Sequence, residues 1–190
     1  MLFYKQIDLP QIPVELLNFD QATQEYIPRF DYGKDHYVDG KIITPPSYFF
    51  SDVHNTLLNH WLLQHLPKVP KVNYSQLIPT NSRQMLVHTD IKRIAALNYL
   101  IDTGGDDVVT RWYQEQEHPV ERQEKTVGNQ TDTGYVDYQN LNLLDSTVFK
   151  KNCWYLVRTN VLHDATNISS TRRYLGVSYF EREDLEFFGF

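Results

Sequence analysis

The sequence predicts a single domain with a mostly antiparallel β-sheet core and helices packed near the N-terminus. Three observations lead there. From residue 72 onward, short apolar and β-branched runs recur between turn residues. Ahead of them, one stretch carries a clear helical period. Nothing in the 190 residues reads as an internal repeat, a low-complexity tract or a linker, and that length suits one domain with a sizeable core. The boundaries expected are an N-terminal helical and hairpin flank over residues 1–70 and a β core over 71–182, within one domain spanning 1–190.

Taken in order, residues 1–50 read as short extended pieces with one short helix around Val14, Glu15, Leu16 and Leu17, its start punctuated by Pro10 and Pro13. Residues 36–43 predict a β-hairpin, because Asp39-Gly40 suits a type I′ turn. Pro45-Pro46 then stops the second strand. The strongest helix is 51–66, with Ser51 or Asp52 able to cap it and Pro67 after its end. Val53, Leu57, Leu58, Trp61, Leu62 and Leu66 form its apolar stripe. His54, His60 and His65 lie on this helix at offsets that do not share a face, and they read as surface or boundary residues. Strands follow at 72–78, 84–90, 94–101 and 108–114, with a Gly104-Gly105 turn before the last of these, and again at 153–157 and 174–180. Residues 115–135 are polar, charged and without periodicity, and predict a long loop: a lid over a site or a surface insertion without a role.

Composition narrows the function classes. Hydrophobic residues at 41% and aromatics at 14% put the chain among folding sequences. A net charge of −6 argues against a nucleic-acid or anionic-membrane surface. A lone cysteine, Cys153, excludes an internal disulfide framework and fits a reducing compartment. Inside an apolar strand it reads as a small core residue and not as a nucleophile. No signal-peptide pattern opens the chain and no stretch is long and apolar enough to span a bilayer, so a cytoplasmic location is expected.

The chemistry centres on His88-Thr89-Asp90, followed by the apolar run from Ile94 to Ile101. On a strand, His88 and Asp90 point to the same side, with Cα atoms roughly 6.6 Å apart. One metal ion can bridge that gap. An imidazole nitrogen with a carboxylate oxygen suits Fe(II), Mn(II) or Zn(II), and a second histidine would complete a facial triad with open coordination positions. His163 is the candidate for that third ligand. Ten residues later comes Arg173. Arg173, Leu175, Val177 and Tyr179 make the more apolar face of their strand, which places Arg173 inside and leaves Arg172 solvated. A buried guanidinium needs an anion, either an Asp or Glu side chain or a bound carboxylate. Tyr99, on the apolar face of its own strand, could bond that carboxylate or the backbone.

His88, Asp90, His163 and Arg173 together resemble the signature of the Fe(II)/2-oxoglutarate-dependent dioxygenase superfamily. Residues 93–113, an apolar strand with Tyr99-Leu100, a Gly-Gly turn and a Thr-containing strand, are similar to that family's segment after its His-x-Asp. Arg173-Tyr174 leading an alternating strand resembles the prolyl-4-hydroxylase-like branch. The resemblance covers residues 72–180 with gaps. It implies a double-stranded β-helix, or jelly roll, with flanking helices. It implies that His88, Asp90 and His163 bind Fe(II), and that Arg173, helped by Tyr99, holds the distal carboxylate of 2-oxoglutarate. The implied reaction consumes O2 and 2-oxoglutarate, releases succinate and CO2, and hydroxylates a C–H bond of a peptide side chain or a small metabolite. Asp106-Asp107 and Thr110 depart from the family's spacing after the glycines. Tyr179 stands six residues after Arg173, where the nucleic-acid-dealkylating branch has a second arginine, so that substrate class loses support. A non-catalytic jelly-roll module that binds a metal or ligand is the rival reading. The His-x-His pattern of cupins and the HExxH and paired CxxC patterns of zinc proteins are absent.

Overall fold

The structure is a computed structural model of the chain, and it describes residues 1–17, 37–38, 41–42, 47–48, 52–77, 87–90, 93–116, 122–127, 130–135 and 141–190. The fold is mainly β, with two six-stranded antiparallel sheets and few helices. The first sheet runs in the order β1 (Tyr4–Ile7), β12 (Trp154–Arg158), β7 (Ala95–Thr103), β14 (Arg172–Tyr179), β5 (Val72–Leu77), β4 (Ser47–Tyr48). The second runs β11 (Leu141–Val148), β8 (Val109–Glu115), β13 (Leu162–Thr166), β6 (Val87–Thr89), β10 (Gln130–Tyr135), β9 (Arg122–Val127). A two-stranded ribbon pairs β2 (Tyr37–Val38) with β3 (Lys41–Ile42). One helix, α1 (Asp52–Leu63), precedes β5, and short 3₁₀ turns cover Val14–Leu17 and Glu183–Phe188. Among the described residues no helix is long and apolar enough to cross a membrane.

The strands β7, β12 and β14 of the first sheet are largely buried on both faces, and they divide their side chains accordingly. Leu97 and Tyr99 of β7, Trp154 and Leu156 of β12, and Leu175, Val177 and Tyr179 of β14 pack with Leu58, Leu62 and Leu66 of the helical segment and with Leu185 and Phe188. The alternate residues point the other way. Leu100, Tyr155 and Val157 meet Trp112 of β8 and Phe149 across the gap between the sheets, with Tyr174 packed against them. Among the described residues one core thus lies under the helix and another between the sheets, and a smaller cluster gathers Val87, Tyr113, Leu141 and Leu162 of the second sheet.

Most elements lie where the sequence places them. The helical stripe is narrower than its period implies: Leu58 and Leu62 are fully buried, whereas Leu57 is 55% exposed. Tyr37 pairs with Ile42 and Val38 with Lys41, as the hairpin requires; residues 39–40 lie outside the described residues, as does Ser51. The turn after β7 needs its glycine. Gly104 sits at φ +87°, and a Cβ there would stand 2.8 Å from the Cβ of Arg172.

The expectation of a long loop over 115–135 is overturned. β9 and β10 form an antiparallel pair, and β10 joins β6 with Gly134 opposite His88 and Thr133 opposite Thr89. Their sequences, Arg-Gln-Glu-Lys-Thr-Val and Gln-Thr-Asp-Thr-Gly-Tyr, carry no apolar alternation, so nothing in them announces the backbone pairing. For the same reason periodicity missed β11, where Leu141 is buried and most later residues are not.

Leu62 carries much of the helix-to-sheet packing. Leu62→Ala should cost about 2–5 kcal/mol and lower the urea midpoint without changing the m value. Equilibrium denaturation of the two proteins measures it.

Candidate metal centre

The second sheet brings the three predicted ligands together. His163 is the second residue of β13, which is hydrogen-bonded on both sides, so it is held within a strand and not at a strand edge. In register it stands directly opposite His88 of β6 and opposite Trp112 of β8. Trp112 belongs to the inter-sheet core, so His163 faces that interior. The His88 and His163 rings lie 4.5 Å apart. Asp90 follows β6 by one residue, and its backbone N–H donates to the Thr159 carbonyl at 2.9 Å. One donor atom from each of His88, Asp90 and His163 lies within 4.8 Å of the others, and among the described residues no other such group occurs.

Hydrogen bonding and charge prepare these groups as ligands. His163 Nδ1 lies 2.8 Å from the Val161 carbonyl, which can only accept. Nδ1 therefore carries the proton and Nε2 offers the lone pair. Burial, with the neighbouring His88, lowers the His163 pKa to about 4, so the ring is neutral at physiological pH. Asp90 is pulled two ways. Burial raises its pKa, but the Arg93 guanidinium and the two histidines together outweigh that and hold the carboxyl below its usual range. Arg93 donates to Asp90 Oδ2 through Nε at 2.9 Å and through Nη2, and to Ser178 Oγ through Nη1 at 3.1 Å. The donor set is two imidazoles and one ionised carboxylate, which fits a divalent Fe, Mn or Zn ion with positions left for other ligands.

On the other face of β13, Asp164 accepts a forked pair from Arg111, Nε to Oδ1 at 3.0 Å and Nη2 to Oδ2 at 2.6 Å. Burial pushes the Asp164 pKa up, and the Arg111 pair opposes this. That clamp ties β13 to β8 beside His163.

The two predicted anion-binding residues are not with the triad. Tyr99 lies in the core under the helix, its ring 5.0 Å from Trp154 and its hydroxyl bonded to the Ile12 backbone. Arg173 alternates with Leu175, Val177 and Tyr179, which face that same core. The expectation that Arg172 is solvated is corrected: it is 8% exposed, on the inter-sheet side of β14 with Tyr174, whose ring lies 5.9 Å from its guanidinium. The error has a physical cause. The more apolar face of β14 does meet a core, but the one under the helix; the more polar face lines the space between the sheets. The extra residue of a β-bulge, Ile101, falls on β7, so alternation along β14 is unbroken.

Burial lowers the Arg172 pKa from its ordinary value, and among the described residues no hydrogen bond or ion pair holds its guanidinium. Two more interior groups escaped the sequence reading. Asn98 Oδ1 and Thr110 Oγ1 are buried without a hydrogen-bond partner, on the faces of β7 and β8 that also carry Leu100 and Trp112. Gly176 makes room for Asn98, since a Cβ there would come within 2.8 Å of Oδ1. A buried polar atom left unpaired costs about 1–3 kcal/mol, so this interior suits a polar occupant, one that donates to the Asn98 oxygen and can accept from the Thr110 hydroxyl. The signal for them in the sequence was the small and polar alternate positions Gly176 and Ser178 behind Arg172. The helix histidines stay apart from the site, with His60 exposed and His65 against Trp61, while the side chain of His54 lies outside the described residues. Cys153 is partly buried just ahead of β12.

The neutral state of His163 sets an acid limit for the metal-free protein. Between pH 6.5 and about 4 the unfolded chain binds a proton at His163 that the folded chain lacks, so stability falls as pH falls through that window. The loss should reach about 3 kcal/mol by the lower end. Urea denaturation across pH should show that slope, and His163→Gln should flatten it.

No protein-family model matches the chain, and no curated protein matches it. Among solved structures it is similar to the X-ray structure of E. coli ycfD, with a TM-score of 0.39 and 12% sequence identity. The match covers 83% of this chain and 38% of that one, so this chain spans well under half the length of the protein it resembles. A likeness this loose says nothing of site or chemistry.

Proposed function

We propose that this chain is an Fe(II)- and 2-oxoglutarate-dependent oxygenase that hydroxylates a C–H bond of a peptide side chain or a small metabolite. The observation that carries the reading is the placement of the His88, Asp90 and His163 donors on the same inter-sheet side as the buried Arg172 guanidinium. Strand order supports a jelly roll. β5, β14, β7 and β12 adjoin in one sheet and β6, β13, β8 and β11 in the other, so that β5 to β8 alternate between sheets, as do β11 to β14. The β9–β10 hairpin is then an insertion between the fourth and fifth core strands. The resemblance to the dioxygenase superfamily and its prolyl-4-hydroxylase-like branch is kept with one change: Arg172, nine residues after His163, replaces Arg173. Six residues beyond Arg172 stands Ser178, so the second arginine of the nucleic-acid-dealkylating branch is missing in this frame too.

Each residue has a task in such a reaction. His88 and His163 present imidazole nitrogens and Asp90 an ionised oxygen. Arg172 pairs with the distal carboxylate of 2-oxoglutarate, a forked donor matched to a planar acceptor. Asn98 and Thr110 offer polar atoms along the same interior. Leu100, Trp112, Phe149 and Tyr155 exclude water around it. Iron, when bound, would supply the redox chemistry that couples decarboxylation of the 2-oxo acid to oxygen insertion. A cytoplasmic setting suits ferrous iron and the lone thiol of Cys153.

Anaerobic addition of Fe(II) and 2-oxoglutarate should produce a metal-to-ligand charge-transfer band, and air should then release succinate. No band and no succinate above an Asp90→Ala control would leave a non-catalytic binding module. Arg172→Ala should weaken 2-oxoglutarate by about 100-fold while Arg173→Ala changes it little. The reverse result would return the cosubstrate role to Arg173.

A further inference from the structure

Arg93 makes the closest polar contact to the triad and has no assigned task. Two of its donors, Nε and Nη2, converge on a single Asp90 oxygen, Oδ2. The usual fork spreads over both carboxylate oxygens, as Arg111 does on Asp164. Here the other oxygen, Oδ1, is turned toward the histidines, 3.8 Å from His88 Nε2. The third donor, Nη1, is anchored to Ser178 on β14, a residue only 1% exposed. The Arg93 backbone is pinned as well. Its carbonyl accepts from Thr159 Oγ1 at 3.1 Å, and the next residue, Ile94, donates to the Tyr179 carbonyl at 2.9 Å. The same Thr159 accepts from the Asp90 N–H. Ligand and guanidinium are thus fixed in one frame that joins the two sheets.

We propose that Arg93 is a positioning residue that confines Asp90 to one metal-donating oxygen, Oδ1. This rests on the reading of His88, Asp90 and His163 as a metal centre. A carboxylate free to rotate can bind a divalent ion through both oxygens and fill a further coordination position. With Oδ2 already holding two N–H donors, its lone pairs are spent, and the position remains for a water or an incoming ligand. Arg93 also offsets the Asp90 charge, so the carboxylate is a weaker ligand than it would be alone.

The test uses Mn(II) alone on the full chain, with inner-sphere waters counted by water-proton relaxation and affinity followed by loss of the free-ion EPR signal. Arg93→Gln removes the fork and the charge. It should lose one inner-sphere water relative to the parent protein and bind Mn(II) about tenfold more tightly. Arg93→Met, closer in volume, carries the same expectation, so failure of one variant to fold leaves the other to decide. Arg93→Lys, with a charge and a donor at Oδ2, should restore the parent hydration. Equal hydration in the parent and in Arg93→Gln or Arg93→Met overturns the proposal and leaves Arg93 as a clasp between sheets. Failure of the parent to bind Mn(II) above a His163→Ala control removes the metal centre itself, and this role with it.

Discussion

The arrangement depends on one constraint: the sheet containing β7, β12 and β14 is covered on both sides. Its helix face is an ordinary apolar core, closed by Leu58, Leu62 and Leu66. That leaves the inter-sheet face free to carry groups a single-core protein could not place inside. Arg172, Asn98 and Ser178 all sit there, among small residues such as Ala96 and Gly176. The helix-side core supplies hydrophobic stabilisation, in proportion to the apolar surface it removes from water, and the inter-sheet space holds Asn98 Oδ1 and Thr110 Oγ1, buried without a hydrogen-bond partner.

The triad illustrates how pairing across a sheet makes a site. His88 lies on β6 and Asp90 just past its end, but His163 reaches them only because β13 lies directly beside β6. Two of the three side chains are held by a further bond: His163 by the Val161 carbonyl, Asp90 by Arg93. Those outer contacts decide which atom faces the centre, Nε2 in one case and Oδ1 in the other. The Arg111–Asp164 pair on the reverse of β13 stiffens the strand from behind. Three residues of ordinary type become a candidate metal centre because their supports are rigid.

Much of this was legible in the chain alone. The helix at α1, the strands at β5, β7, β8, β12 and β14 and the Gly104 turn follow from periodicity and turn chemistry. The three candidate ligands were named from the chain as well: His88 and Asp90 because His-x-Asp on a strand places both groups on one side whatever the fold, and His163 as the histidine that would complete the set. The strands β9, β10 and β11 were not, because backbone pairing leaves no trace in a sequence without apolar alternation.

Sequence by itself determined which residues share a side of each strand. Arg172 travels with Tyr174 and Gly176, and Arg173 with Leu175 and Val177, by the period of two alone. Only the tertiary structure decided what each side meets. Apolarity marks a face as buried without saying against what, and here both faces are buried. Tyr99 and Arg173 therefore went to the helix side, and Arg172 and Asn98 to the space between the sheets. The grip of Arg93 on one oxygen of Asp90 belongs to the same class of fact: a three-residue spacing permits the contact, and the packing of Thr159 and Ser178 around it sets its geometry.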